Sequence, residues 1–293
     1  MGTLKTPLLL LLATSLMGSS FAISQMGLHY ASPLFLAGLR FGFAGLLLAP
    51  FVRRRRQPDG LSQWLRVGVI GLLQTTGVMG AIFMSLTTIT AGESAILTFT
   101  NPVLVVILGT LFAGIRYRPA QWAGVALGLA GVAVAILASW DMRIGVVYGL
   151  ASAGFWATST LLLKRWGKDF DPWVMTAYQM LFGGACLVLL ALLLEGPVFA
   201  LTPASVAILA WLVVMASIVQ FGAWFYVLHH ADPARASAYL FLAPVFGVLF
   251  GRILLNQSTH WHVALGAALV VGGIWLVNRG PSAPREHGPG DGG

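Results

Sequence analysis

The chain repeats itself, and the repeat limits what it can fold into. Pro33 opens one apolar run and Pro172 opens another 139 residues later. Pro102 lies within a further run, and Pro244 lies within its counterpart 142 residues on. At this second spacing Phe83, Leu86, Phe99 and Gly109 match Phe225, Leu228, Phe241 and Gly251, while Gly124, Leu127 and Gly131 match Gly266, Leu269 and Gly273. The register holds without a gap over roughly fifty residues, which marks duplication rather than coincidence. Each copy holds five hydrophobic runs. An odd number of crossings obliges the second copy to enter a membrane from the other side, so the two units are inverted relative to one another.

That the runs cross a membrane follows from composition. The chain is 58% apolar and only 9% charged, whereas a soluble domain carries about a quarter charged residues. Each run approaches the ~20 residues that span a bilayer as helix. The alternating pattern of a barrel strand is absent. The expected fold is an all-α polytopic membrane protein, with ten transmembrane helices as two inverted five-helix repeats around a central cavity. The spans read 7–28, 33–52, 65–85, 93–114, 120–139, 145–164, 172–194, 204–229, 235–255 and 261–278. The repeats then occupy 1–140 and 141–279, followed by a polar, Gly/Pro-rich cytoplasmic tail at 280–293 that composition assigns to disorder. The first span is not a cleaved signal peptide, because no A-x-A site follows and its repeat partner at 145–164 cannot be one.

The net charge of +8 sits in alternate loops, at Arg53 to Arg56, Arg116 and Arg118, Lys164, Arg165 and Lys168, Arg235, and Arg279 and Arg285. Arg143 is the main exception. This positive-inside pattern places both termini in the cytoplasm and argues against nucleic acid as the partner of the basic charge. The single cysteine, Cys186, forms no intrachain disulfide.

With these features in place, the chain resembles the drug/metabolite transporter superfamily, in its ten-helix EamA-type branch. The likeness rests on Met17-Gly18-Ser19-Ser20-Phe21, Arg40, Asn101-Pro102 and the glycine-rich fifth and tenth spans, and covers all but the tail. Among subgroups it looks most like the YddG-type bacterial aromatic amino acid exporters. The resemblance implies that spans 1, 3, 4, 6, 8 and 9 surround a central cavity whose access alternates across the bacterial inner membrane. One departure stands out: related four-helix multidrug exporters use a membrane-embedded Glu in the first span, and here that span has no acid.

Pro102 and Pro244 each remove a helical hydrogen bond, freeing the carbonyls of Thr98 and Leu240. They read either as paired hinges or as static kinks. Ser94, Thr98 and Asn101 fall on one face of span 4, and Ser152, Trp156 and Ser159 share a face of span 6. Ser20 belongs to the matching stripe of span 1. Gln74 with Met79 in span 3, and Gln220 with Trp224 in span 8, add amides and apolar bulk. Small polar groups among aromatics suit an amphipathic solute, but Ser and Thr equally serve as glue between membrane helices. The amides favour the cavity, being costly to bury unsatisfied.

Most tryptophans lie near span ends, as interfacial belts do. Trp156 falls near mid-membrane on the polar stripe, as a stacking or cation–π contact or as core packing. Tyr239, beside Leu240, is a second aromatic candidate. Arg40 inside span 2 is read as structural, snorkelling or pairing with carbonyls. Glu93 is a membrane-edge proton site at most. Gly124 and Gly128 form a GxxxG whose partner helix belongs to this chain or to a second copy.

The expected function is secondary transport, exporting small amphipathic metabolites, with aromatic or neutral amino acids first and lipophilic cations or drugs as the alternative. Phosphorylated sugars would need several Lys or Arg at midplane. An intramembrane enzyme would need a nucleophile–base pair or metal cluster that the pattern does not offer, and a channel would need a ring-forming filter sequence. No cofactor and no metal is implied. The partners are a small-molecule substrate and the lipid bilayer, in a monomer or homodimer.

Overall fold

The computed structural model describes residues 5–137, 143–223, 239–240, 242–258 and 260–277. The tail at 280–293 and the site candidate Trp224 lie outside the described residues. Among the described residues ten helices follow in order: α1 (Lys5–Gly27), α2 (Pro33–Val52), α3 (Gly60–Ser85), α4 (Ala91–Ala113), α5 (Pro119–Leu137), α6 (Ile144–Trp166), α7 (Pro172–Leu194), α8 (Pro203–Ala223), α9 (Leu242–Leu255) and α10 (Trp261–Val277). Seven are long and apolar enough to cross a membrane, and stretches of α5, α9 and α10 form shorter apolar helices.

Local chemistry sets the ends. Proline, which needs no N–H in a first turn, begins α2, α7 and α8. Thr90 and Glu93 close a capping box on α4, and Thr202 with Ser205 does so on α8. Asp171 Oδ1 accepts from Trp173 N and Val174 N of α7. Ser32 gives α2 no side-chain cap; both carboxylate oxygens of Glu195, from the far end of α7, accept from Leu34 N instead. Gly114, at φ 60°, ends α4 in the left-handed conformation.

Two helices meet their own copies. α2 packs along α7, with Gly38 against Gly184 and Val188 and Gly45 against Ala177 and Leu181. α5 packs along α10, with Gly124 against Gly273 and Val277 and Gly131 against Gly266 and Val270. Residue numbers rise on one helix as they fall on the other, so each pair is antiparallel. A helix lying antiparallel to its own copy is the relation that inverted repeats require. The GxxxG of α5 thus finds its partner within this chain. A Cβ on Gly273 would lie 2.6 Å from Gly128 N, so only glycine allows this approach.

The remaining contacts recur with the copies exchanged. α1 packs on α9 as α6 packs on α4; α3 packs on α6 and α7 as α8 packs on α1 and α2. The largest buried cluster joins Phe21 of α1, Phe83 of α3, Ile96 and Phe99 of α4, and Ala243 of α9.

Candidate functional site

The site is built around a break in α4. Its first half ends at Thr98 and its second begins at Asn101, with Phe99 and Thr100 between them. Pro102 stands in the first turn of the new half rather than within a continuous helix. It brings no N–H to the Thr98 carbonyl, and Val103 N and Leu104 N turn to the carbonyl of Thr100. Pro244 likewise occupies the first turn of the described α9. Pro102 therefore stands at the restart of a helix after a two-residue break, where the sequence placed it inside one continuous span.

At this break Phe99 is buried, and Trp156 of α6 meets its ring edge-on at 5.5 Å. Phe21 of α1 lies 6.1 Å from the same ring. Met17, Met79 and Trp156 are each partly buried against this cluster. Met79 also packs on a second cluster formed by α2 and α7 around Phe41 and Met180. The apolar candidates thus converge. Phe99 and Phe21 were missed as site residues, although Phe99 already stood in the repeat register.

The small polar candidates divide. Ser94 Oγ lies 2.5 Å from Ser85 Oγ of α3, and Thr98 Oγ1 lies 2.8 Å from Ser152 Oγ of α6, each within a buried pair. These two bond neighbouring helices, as the glue reading held. Ser20 Oγ donates to Met17 O of its own turn. Asn101, 8% exposed, opens the second half of α4. Ser159 is fully buried, yet its Oγ has no hydrogen-bond partner among the described residues. The same holds for Gln74 Oε1 and Gln220 Oε1. An unmet buried polar atom carries a desolvation cost that a bound solute or water removes. Tyr239 is partly exposed at the edge of the described segment.

Gln74 and Gln220 mark a feature that composition did not announce. α3 widens into a π-helix over Gly71–Gly77, and α8 does so over Val214–Val219. The segments end 142 residues apart, in the repeat register. Gln74 lies within the first, and Gln220 caps the second. Such widened turns gather at functional sites.

The end of the bundle away from Arg53 to Arg56 is tied across the copies by side-chain amides. Gln25 Nε2 donates to Leu86 O at 2.9 Å and Ile89 O at 3.0 Å. Gln257 Nε2 donates to Gln25 Oε1 at 2.8 Å, and Gln257 Oε1 accepts from Ala91 N at 3.2 Å. Beside this lock lies a pocket of about 170 Å³, lined by Thr90, Glu93, Arg143, Gln257, Ser258 and His260 among others. Glu93 binds Thr90 N and Arg143 there. Glu93, the membrane-edge candidate, lines this pocket, whereas none of the substrate-site candidates does.

Comparison with known proteins accords with this architecture. The EamA-like transporter family model matches residues 4–137 and again 143–279. An uncharacterized transporter of Archaeoglobus fulgidus is 31% identical over 284 residues, covering 93% of this chain and 97% of its own. The uncharacterized inner membrane transporter YedA of Escherichia coli K12 is 28% identical, over 90% of this chain and 87% of its own. A protein crystal structure shares the fold with a TM-score of 0.65 at 23% identity, covering 92% of this chain and 95% of that one. With the family model matching both halves, the chain belongs to the EamA-like transporter family.

Proposed function

We propose that this transporter exports small amphipathic metabolites, aromatic or other neutral amino acids foremost, by alternating access across the bacterial inner membrane. Both termini then face the cytoplasm, and the repeats divide at 140/141. The observation that carries the reading is the meeting of Trp156 and Phe99 at the break in α4, with a buried hydroxyl oxygen on α6 and amide oxygens on α3 and α8 that have no partner among the described residues. An aromatic face receives the ring of the solute. The unmet oxygens of Gln74, Ser159 and Gln220 accept from its ammonium group. The freed Thr98 carbonyl adds a further acceptor.

Alternation fits the lock at the end away from Arg53 to Arg56. Gln25 and Gln257 come from different copies, so parting them opens that end as the copies rock. Lipophilic cations suit the site less well, because buried Arg40 contributes positive charge without an acid partner among the described residues. The likeness to YddG-type exporters favours aromatic amino acids.

The test is counterflow of radiolabelled L-phenylalanine and L-tryptophan in proteoliposomes holding the full chain. Saturable, protein-dependent exchange is the expected result. Flux of another solute, with none of these, overturns the substrate class; single-channel currents overturn the carrier. Flux runs down the substrate gradient in this reading, so an imposed pH gradient leaves it unchanged, as does Glu93→Gln.

A further inference from the structure

α2 carries a buried cation to which the transport cycle described above assigns no step. Arg40 is 4% exposed. Its Nε donates to Ser217 Oγ at 3.1 Å and its Nη2 to Ala216 O at 2.9 Å. Its guanidinium carbon lies 4.7 Å from the centre of the Phe41 ring. Arg40 forms no ion pair among the described residues. Both of its bonds end in the π segment of α8, Val214–Val219.

A π turn leaves a carbonyl without its usual partner four residues on. Here Ser217 Oγ reaches back to Leu212 O at 3.0 Å, and Arg40 takes the Ala216 carbonyl. The guanidinium fork suits this task because it donates to two acceptors at fixed spacing. A charged donor in a low-dielectric interior bonds more strongly than a neutral one.

The first copy lacks this pin. Gln179 stands at the place of Arg40 in the repeat. It too is buried, with its backbone against Gly71 of the π segment Gly71–Gly77. Yet Gln179 Oε1 has no hydrogen-bond partner among the described residues. A side-chain bond between these elements runs the other way, from Thr76 Oγ1 to Gly183 O at 3.1 Å.

We infer that Arg40 is a positioning residue for substrate transport: it pins the π segment of α8 and so fixes Gln220, leaving the equivalent segment of α3 as the wall that rearranges. Gln220 directly follows the segment that Arg40 holds, and Gln74 lies within the one whose side-chain tie is the neutral bond of Thr76. The role of Gln220 in this inference rests on the proposed cavity, whereas the pin itself does not.

The experiment has two arms on the full chain in proteoliposomes. In the first, hydrogen–deuterium exchange is followed at 214–219 and 71–77. The wild type exchanges more slowly at 214–219. Arg40→Gln speeds exchange there about ten-fold or more, the factor expected for a lost charged hydrogen bond, and leaves 71–77 unchanged. No selective change at 214–219 overturns the inference. If Arg40→Gln speeds exchange throughout the chain, Arg40→Lys decides, since it keeps the charge and loses the two-acceptor fork: a rise confined to 214–219 supports the pin, and its absence overturns it.

In the second arm, half-saturation for L-phenylalanine counterflow is measured in a double-mutant cycle. Arg40→Gln and Gln220→Ala together shift it no more than either alone, whereas Arg40→Gln and Gln74→Ala add. Additivity of Arg40 with Gln220 overturns the positioning role. A wild type without phenylalanine flux defeats the substrate reading alone, because the exchange arm requires no substrate.

Discussion

The pairs that join a helix to its own copy, α2–α7 and α5–α10, are held together differently from the helices between them. In the pairs glycine meets backbone: a Cβ on Gly184 would lie 2.4 Å from Gly42 N. Side-chain hydrogen bonds there sit at the ends, as from Gln121 Nε2 to Val277 O and from Leu34 N to Glu195. Between them, α3, α4 and α6 are tied by the buried pairs Ser85–Ser94 and Thr98–Ser152. These inner helices, with α8, also hold the unmet oxygens of Gln74, Ser159 and Gln220. Lipid offers no hydrophobic drive for association, so close packing is what can hold a fixed frame. Polar contacts can be exchanged for a solute or for each other as a wall moves. The two halves of this design predict different costs for small changes.

The frame gives the largest effect. Gly184→Ala puts a methyl group into the backbone of Gly42, where no side chain can yield, and is expected to cost about 3 kcal/mol. Gly154 of α6 has nothing within 4 Å of an added Cβ. Gly154→Ala should change stability by under ~0.5 kcal/mol. Thermal unfolding in detergent measures both, and equal costs would erase the distinction between frame and inner helices.

The lock comes next. Gln257→Ala removes the bonds to Gln25 and Ala91 N, each worth about 1 kcal/mol net. The open population at that end should rise about thirty-fold, read as faster thiol labelling of a cysteine placed at the buried Leu86, which enters the lock only through its backbone carbonyl, with the unfolding temperature nearly unchanged. A large loss of stability instead would make the lock part of the frame.

Within the inner helices, Trp156→Ala deletes the edge-on contact with Phe99. Half-saturation for phenylalanine counterflow should rise about ten-fold, the size of an aromatic pair, while Trp156→Phe retains most of the affinity. A stability loss matching that of Gly184→Ala, with unaltered half-saturation, would move Trp156 from the site to the core.

Much of this architecture is legible in the sequence. Lipid forces each crossing backbone to satisfy itself, so composition and run length alone read out a helical bundle. The stripe of Ser94, Thr98 and Asn101 was legible as a stripe. Its role was not, because glue and cavity share one helical spacing and only the neighbouring helix separates them. The π segments left no mark: GLLQTTG and VMASIV have little in common beyond their place in the repeat. The lock of Gln25 with Gln257 joins residues 232 positions apart, beyond the reach of local pattern. Pro102 was legible as a kink within one span, but whether proline bends a helix or restarts one depends on how the chain before it packs.

The smallest effect tests whether the frame owes its stability to its middle or to its ends. Asp171 caps α7 through Oδ1 and pairs through Oδ2 with Arg55 at 3.1 Å. The pair is exposed, with side-chain exposures of 47% for Arg55 and 22% for Asp171. Asp171→Asn keeps an oxygen for the cap and loses the charge, so it should cost under ~0.5 kcal/mol, and less still in high salt. Asp171→Ala loses the cap as well and should cost about 1 kcal/mol. Both remain below Gly184→Ala if close packing along α2–α7 is what holds the copies together. If removing the charge alone costs as much as the added methyl, the loops at the Arg53 to Arg56 end hold the frame, and the glycine contacts merely record how near the helices can come.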